Sequence, residues 1–151
     1  METIIERIKR HEGLKLKQYR CPAGKLTIGY GHNLDAKGRM GLIPAGRDLA
    51  REGITLAEAE ALLQRDISDA MADLRGVFKW FDTAPQSVQD VLLDMCFNMG
   101  LKGLLKFHNM LADIVAGNYQ AAADELKNSA YYHQVGERAK ENEEILRGVT
   151  T

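Results

Sequence analysis

A chain of 151 residues with 45% hydrophobic and 27% charged residues has the make-up of one ordinary globular domain, which excludes a fibrous or disordered protein. Its 20 basic and 21 acidic residues leave a net charge of −1, too little for an overall nucleic-acid footprint. Two cysteines, Cys21 and Cys96, without a CxxC or Cys/His cluster, exclude a disulfide scaffold and offer no metal site.

The opening stretch METIIERIKRHEGLK has no continuous apolar run. Neither a signal peptide nor a membrane span is expected from it, so the chain is expected to fold in the cytoplasm without stable membrane association. Ile4, Ile5 and Ile8 recur at helical spacing, and Glu12 continues their face at i+4 from Ile8. This predicts a short helix with Glu12 at its end and Gly13 as its stop.

Residues 14–32 change character. LKLKQY alternates apolar and polar, CPAGK is turn chemistry, and LTIGYGH alternates again, which predicts a β-hairpin. Read as one strand, LTIGYGH puts Leu26, Ile28, Tyr30 and His32 on one face and Thr27, Gly29 and Gly31 on the other. The Thr27 face is then nearly bare, a pattern that suits a close approach to the backbone.

Residues 33–53, with four glycines, predict an irregular flap with some helix around residues 47–51. Thr55 and Glu58 form a capping-box pattern that opens a long helix to about Leu74. A second box is expected at Thr83 and Gln86, with Pro85 in the first turn and Val88, Val91, Leu92, Met95 and Cys96 on one apolar stripe. The segment LKGLLKFHNMLADIVAGN is apolar around most of its circumference and is the expected central helix. Two shorter amphipathic helices follow, the last with a highly charged outer face. The expected fold class is therefore α+β in a single domain over residues 1–151. Residues 13–54 form a small hairpin and flap lobe, 55–74 a connecting helix, and 1–12 with 75–151 a helical lobe. A cleft between the lobes is the expected binding site.

Glu12 is the first candidate for chemistry. A carboxyl at the end of a partly apolar helix can be kept protonated by burial, as a general acid must be to protonate a leaving oxygen. The plain alternative is a carboxylate that caps the helix or pairs with a lysine. Cys21 reads either as a small buried hydrophobe or as a group that positions water or attacks carbon; its thiol would be a poor base unless a charge lowers its pKa. Thr27 can hold a water or a substrate oxygen, or simply face solvent as a strand residue. His32 is expected to bond an acid. No Ser/His/Asp arrangement, phosphate loop or metal-ligand spacing competes with this hairpin.

The stretch HEGLKLKQYRCPAGKLTIGYGHNL resembles the phage-type lysozymes, the T4 lysozyme family of endolysins, in its Glu-Gly after the first helix and its Thr-Ile-Gly-x-Gly-His hairpin end. FNMG at 97–100, KFHNML at 106–111 and AYYHQVGERA at 130–139 are similar to motifs of that family's helical lobe. The resemblance implies a lysozyme-like fold and hydrolysis of the β-1,4 bond between N-acetylmuramic acid and N-acetylglucosamine in peptidoglycan. It assigns Glu12 as the general acid, places Cys21 where the family usually has Asp, and puts Thr27 beside the attacking water. It further implies supporting or substrate-binding roles for Gly29, His32, Phe97, Asn98 and Arg138, with Arg138 pairing with Glu12 across the cleft. No cofactor is implied.

A cation beside Glu12 lowers its pKa whereas burial raises it, and the two effects oppose each other in the acid assignment. Two rival functions stay open: a lytic transglycosylase, which also relies on one Glu, and a non-catalytic peptidoglycan-binding protein. The expected protein is a monomer without a separate wall-binding domain. It would reach the wall after release through a separate membrane pore.

Overall fold

The computed structural model describes residues 1–150 and shows an α+β protein with a small antiparallel sheet near its N-terminal end and helices through the rest. Contacts divide the chain into two compact units, Met1–Asp69 and the remainder from Ala70.

In the first unit, helix α1 spans Ile4–Glu12. Thr3 and Glu6 close a reciprocal capping box at its start, Glu6 N to Thr3 Oγ1 at 3.1 Å and Thr3 N to Glu6 Oε2 at 2.9 Å, a pair the sequence reading passed over. Gly13 ends it as expected, at φ 71° with its N–H on the Lys9 carbonyl.

Strands β1 (Lys15–Arg20), β2 (Leu26–Gly29) and β3 (His32–Asn33) form the sheet in that order. The expected single strand LTIGYGH is therefore two strands. Gly29 and Gly31 both adopt the left-handed region, φ 69° and 70°, which turns the chain at Tyr30 and ends the alternation assumed from sequence. Tyr19 lies directly opposite Thr27, and the register is irregular between Lys15 and Tyr19.

The flap holds its helix earlier than expected. Helix α2 is Leu34–Lys37, capped by Asn33. Residues 47–51 are not helical: Asp48 Oδ1 accepts from the amides of Ala50 and Arg51 at 3.0 and 3.1 Å, turning the chain there. Residues 49–54 line the free edge of β1, with Gln18 N on Leu49 O at 3.0 Å and Ile54 N on Leu16 O at 2.7 Å. Gly53 is required at this approach, since a β-carbon there would sit 3.0 Å from the Leu16 carbonyl carbon. Ile28, Ile43, Leu49, Ile54, Ala59 and Leu62 form the core of this unit, with Tyr30, Leu34, Met40 and Leu42 packed against it.

Helix α3, Leu56–Val77, opens with the expected capping box: Glu58 N on Thr55 Oγ1 at 3.1 Å and Thr55 N on Glu58 Oε1 at 2.8 Å. The unit boundary falls within α3, between Asp69 and Ala70.

In the second unit a 3-10 turn, Phe81–Thr83, leads to helix α4, Gln86–Leu105. The box expected at Thr83 and Gln86 does not form. Pro85 occupies the cap position, Thr83 Oγ1 donates to Trp80 O, and Gln86 donates to Asp90. The most buried helical stretch is the first part of α4, from Val88 to Cys96, rather than the segment after it. Gly100, at φ 77° and ψ 165°, breaks α4, and the predicted central helix, which starts just after it, is split between Leu105 and α5, His108–Val115. Helices α6 (Tyr119–Lys127), α7 (Ala130–Val135) and α8 (Glu137–Arg147) complete the unit. Charge in α8 is not confined to its outer face: Arg138, Asn142 and Glu143 are buried.

Ile28 is fully buried at the centre of the sheet. Ile28→Ala is expected to lower the unfolding free energy by about 2–5 kcal/mol, measured as a lower urea midpoint with an unchanged slope.

Candidate active site

Glu12 is the last residue of α1 and is half-buried. Its carboxyl lies against the α-carbon of Gly31: a β-carbon there would sit 2.7 Å from Glu12 Cδ and closer still to Oε1. The left-handed φ of Gly31 and this approach both demand glycine. The sequence pattern had suggested that something approaches the glycine backbone, and at Gly31 that something is Glu12. At Gly29 the neighbours are Ala59 and Ile54, each 3.6 Å from a would-be β-carbon, so Gly29 packs into the core.

Cys21 opens the turn between β1 and β2, with its N–H on Lys25 O at 2.9 Å and its carbonyl accepting from Gly24 N at 2.7 Å. The thiol is partly exposed and is a free cysteine. Burial pushes its pKa up, but hydrogen bonds from the backbone of Lys25, the backbone of Ala23 and the Thr27 hydroxyl outweigh burial and hold it below the ordinary thiol value. The sequence reading required a charge for this; hydrogen-bond donors do it instead.

Thr27 does not face solvent. It is buried, and its hydroxyl donates to Lys25 O at 2.8 Å. With a single hydroxyl proton, that bond and donation to a Cys21 thiolate are alternatives, which makes Thr27 a switchable neighbour of the sulfur.

Tyr19, directly across the sheet from Thr27, joins this group and was missed from sequence. Burial raises its phenol pKa, and the nearby negative charge of Glu12 and of Cys21 raises it further. Its only sequence signal was its place in the alternation of LKLKQY, because the register that sets it opposite Thr27 follows from the irregularity in β1.

His32 bonds an acid as expected. Fully buried, it places Nδ1 2.7 Å from Asp66 Oδ2 and Nε2 2.8 Å from Gly38 O, and Lys37 Nζ adds a contact to Asp66 Oδ1 at 3.0 Å. Both ring nitrogens lie within hydrogen-bond distance of an oxygen. These bonds tie the end of the sheet to α3.

The remaining candidates belong to the second unit. Arg138 is buried and donates through Nε to both oxygens of Asp94 at 3.1 Å and through Nη2 to Oδ1 at 2.9 Å; Asn142 Nδ2 adds a bond to Asp94 Oδ2 at 2.9 Å. Asp94, a polar residue within an otherwise apolar stretch of α4, went unremarked in the sequence. Asn98 is exposed, and its Oδ1 accepts from the Tyr131 hydroxyl at 2.9 Å, while the Tyr131 ring meets Phe107 edge-on at 5.8 Å. Phe97 is half-buried. Among the described residues, no group of three or more His, Cys, Asp or Glu is arranged to hold a metal ion.

Comparison with known proteins adds a second line of argument. The family described as phage lysozyme matches residues 9–146. The chain is similar to an endolysin of Acyrthosiphon pisum secondary endosymbiont phage 1, 33% identical over 118 residues that cover 78% of this chain and 70% of that protein. It is also similar to the endolysin of Salmonella phage P22, 32% identical over 80% of this chain and 75% of that protein. A further relative, the pre-baseplate central spike protein Gp5 of Enterobacteria phage T4, is 30% identical over 91% of this chain, which spans only 26% of that protein's length.

The Cys21 surroundings carry a direct test. Thr27→Val removes one donor, so the thiol is expected to titrate at higher pH than in the parent protein, followed by the pH dependence of its alkylation rate. An unchanged titration would show that the hydroxyl stays on Lys25 O.

Proposed function

The chain belongs to the phage lysozyme family, and from that premise we propose that it is an endolysin-type muramidase that hydrolyses the β-1,4 bond between N-acetylmuramic acid and N-acetylglucosamine in peptidoglycan. The observation that carries this reading is that Glu12, Cys21 and Thr27, the residues that the family resemblance marks for catalysis, all neighbour Tyr19 within one unit.

In this reading Glu12, in its protonated form, gives its proton to the glycosidic oxygen as the bond to the muramic C1 breaks. Positive charge develops on the sugar ring, and the second carboxylate that most glycosidases use is replaced by Cys21. A water held between Thr27 and the sulfur attacks C1, and its proton leaves through the low-pKa thiolate or to solvent. The lowered Cys21 pKa favours such a role, because hydrogen bonds stabilise the anionic sulfur that would receive or orient the water.

Arg138, Asn98, Phe97, Gly29 and His32 are proposed to bind the glycan or support the site. Within the second unit the Asp94 carboxylate accepts three bonds from the Arg138 guanidinium. The chain would work as one lysozyme-like domain and as a monomer. No described helix is long and apolar enough to cross a membrane. The proposed route to the wall is release through a separate pore.

Mass spectrometry of the products from purified peptidoglycan tests the reading. The protein is expected to release muropeptides with a hydrated, reducing N-acetylmuramic end and to carry no sugar on Cys21. Glu12→Gln is expected to lose about a hundredfold or more of the rate, the usual weight of a general acid. Anhydro ends would instead mark a lytic transglycosylase, and binding without products a carbohydrate-binding protein.

A further inference from the structure

The Glu12 carboxyl is only as well placed as the turn it rests on. That turn is two residues, Tyr30 and Gly31, between short strands, and Gly31 has no side chain with which to hold itself. Its neighbour is restrained from three directions. The Tyr30 ring packs against the core of the first unit. Its hydroxyl donates to Glu60 Oε1 on α3 at 3.2 Å. Lys9 Nζ lies 5.3 Å from the ring centroid and bonds the same Glu60 oxygen at 2.8 Å.

Lys9 and Glu12 are three apart on α1 and so share a helix face, which places the ammonium and the carboxyl on the side that meets this turn. One turn of α1 thus touches Gly31 through Glu12 and Tyr30 through Lys9. The Lys9–Glu60 pair is about a third exposed on both sides, and such pairs add little to stability. What the three side chains fix is direction: α1, α3 and the Tyr30–Gly31 turn meet at a single oxygen of Glu60.

We propose that Lys9, Glu60 and Tyr30 form a clamp that sets Gly31 against the Glu12 carboxyl, making Tyr30 and Glu60 positioning residues for the proton transfer. The clamp rests on the reading of Glu12 as general acid. It acts on how well that acid is aimed and not on glycan affinity, because neither residue belongs to the proposed binding set. A misaim of the order of an ångström can cost two decades in rate, so the effect is visible even where stability barely moves.

Steady-state kinetics on soluble, uncrosslinked glycan strands of peptidoglycan test it, with rates normalised to folded protein. Tyr30→Phe keeps the ring and removes the hydroxyl, and Glu60→Ala removes the shared acceptor. Both are expected to lower kcat, Glu60→Ala by about tenfold or more, with KM within about twofold of the parent. Glu60→Gln retains an accepting oxygen for Tyr30 and Lys9 and is expected to recover most of the lost kcat. Parent-like kcat in Glu60→Ala, or a loss confined to KM, would overturn the clamp while leaving the role of Glu12 intact. Full activity in Glu12→Gln would instead remove the premise and the clamp with it.

Discussion

The first unit is organised around a carboxyl resting on a glycine. Glu12 can occupy its place because Gly31 presents no β-carbon, and Gly31 can take its left-handed turn because it is glycine. The same residue therefore answers a steric demand and a conformational one. Around that contact the chain spends much of its local structure: a double capping box at the start of α1, a glycine stop directly after Glu12, and a sheet interrupted at Tyr30. On the other side of the hairpin, Thr27 and two backbone amides stabilise the sulfur anion of Cys21, while Tyr19 feels the charges of both Cys21 and Glu12. A carboxyl and a thiol with a lowered pKa are thus assembled from one helix end and one hairpin.

The second unit solves a different problem, that of keeping a guanidinium out of water. Arg138 is buried on α8, and a buried cation is costly unless its donors are satisfied. Asp94 on α4 accepts from Nε and Nη2 through its carboxylate oxygens, and Asn142 Nδ2 donates to the same carboxylate. The result is a compensated group held in a fixed direction, in contrast to a mobile surface arginine. This explains why α8, which reads as a charged surface helix, carries polar side chains on its inner face.

What could be read in advance was what depends on near neighbours. The Thr55–Glu58 box and the Gly13 stop formed as expected because both are settled within one helical turn. The Thr83–Gln86 box failed although its letters match, since Pro85 took the cap position and each side chain found another acceptor. The expected run of strand through LTIGYGH failed because alternation assumes extended backbone, and two glycines at positive φ do not supply it. The predicted central helix failed near Phe107, where apolar composition concealed the break between α4 and α5. Glu12, Cys21, Thr27 and His32 were legible as candidates from type and spacing. Their partners Tyr19, Gly31 and Asp66, and the Asp94 partner of Arg138, were not, because each pairing depends on register or on packing between elements distant in sequence.

The most direct test of the central contact is the turnover rate of Gly31→Ala compared with Gly41→Ala. Both glycines have a positive φ, 70° and 71°, so both substitutions carry similar backbone strain, but only Gly31 has the Glu12 carboxyl against it, while the space beside Gly41 is open. The account predicts that Gly31→Ala stays folded and loses about a hundredfold in turnover, while Gly41→Ala turns over as the parent does. Equal turnover in the two variants would contradict the claim that this glycine sets the acid.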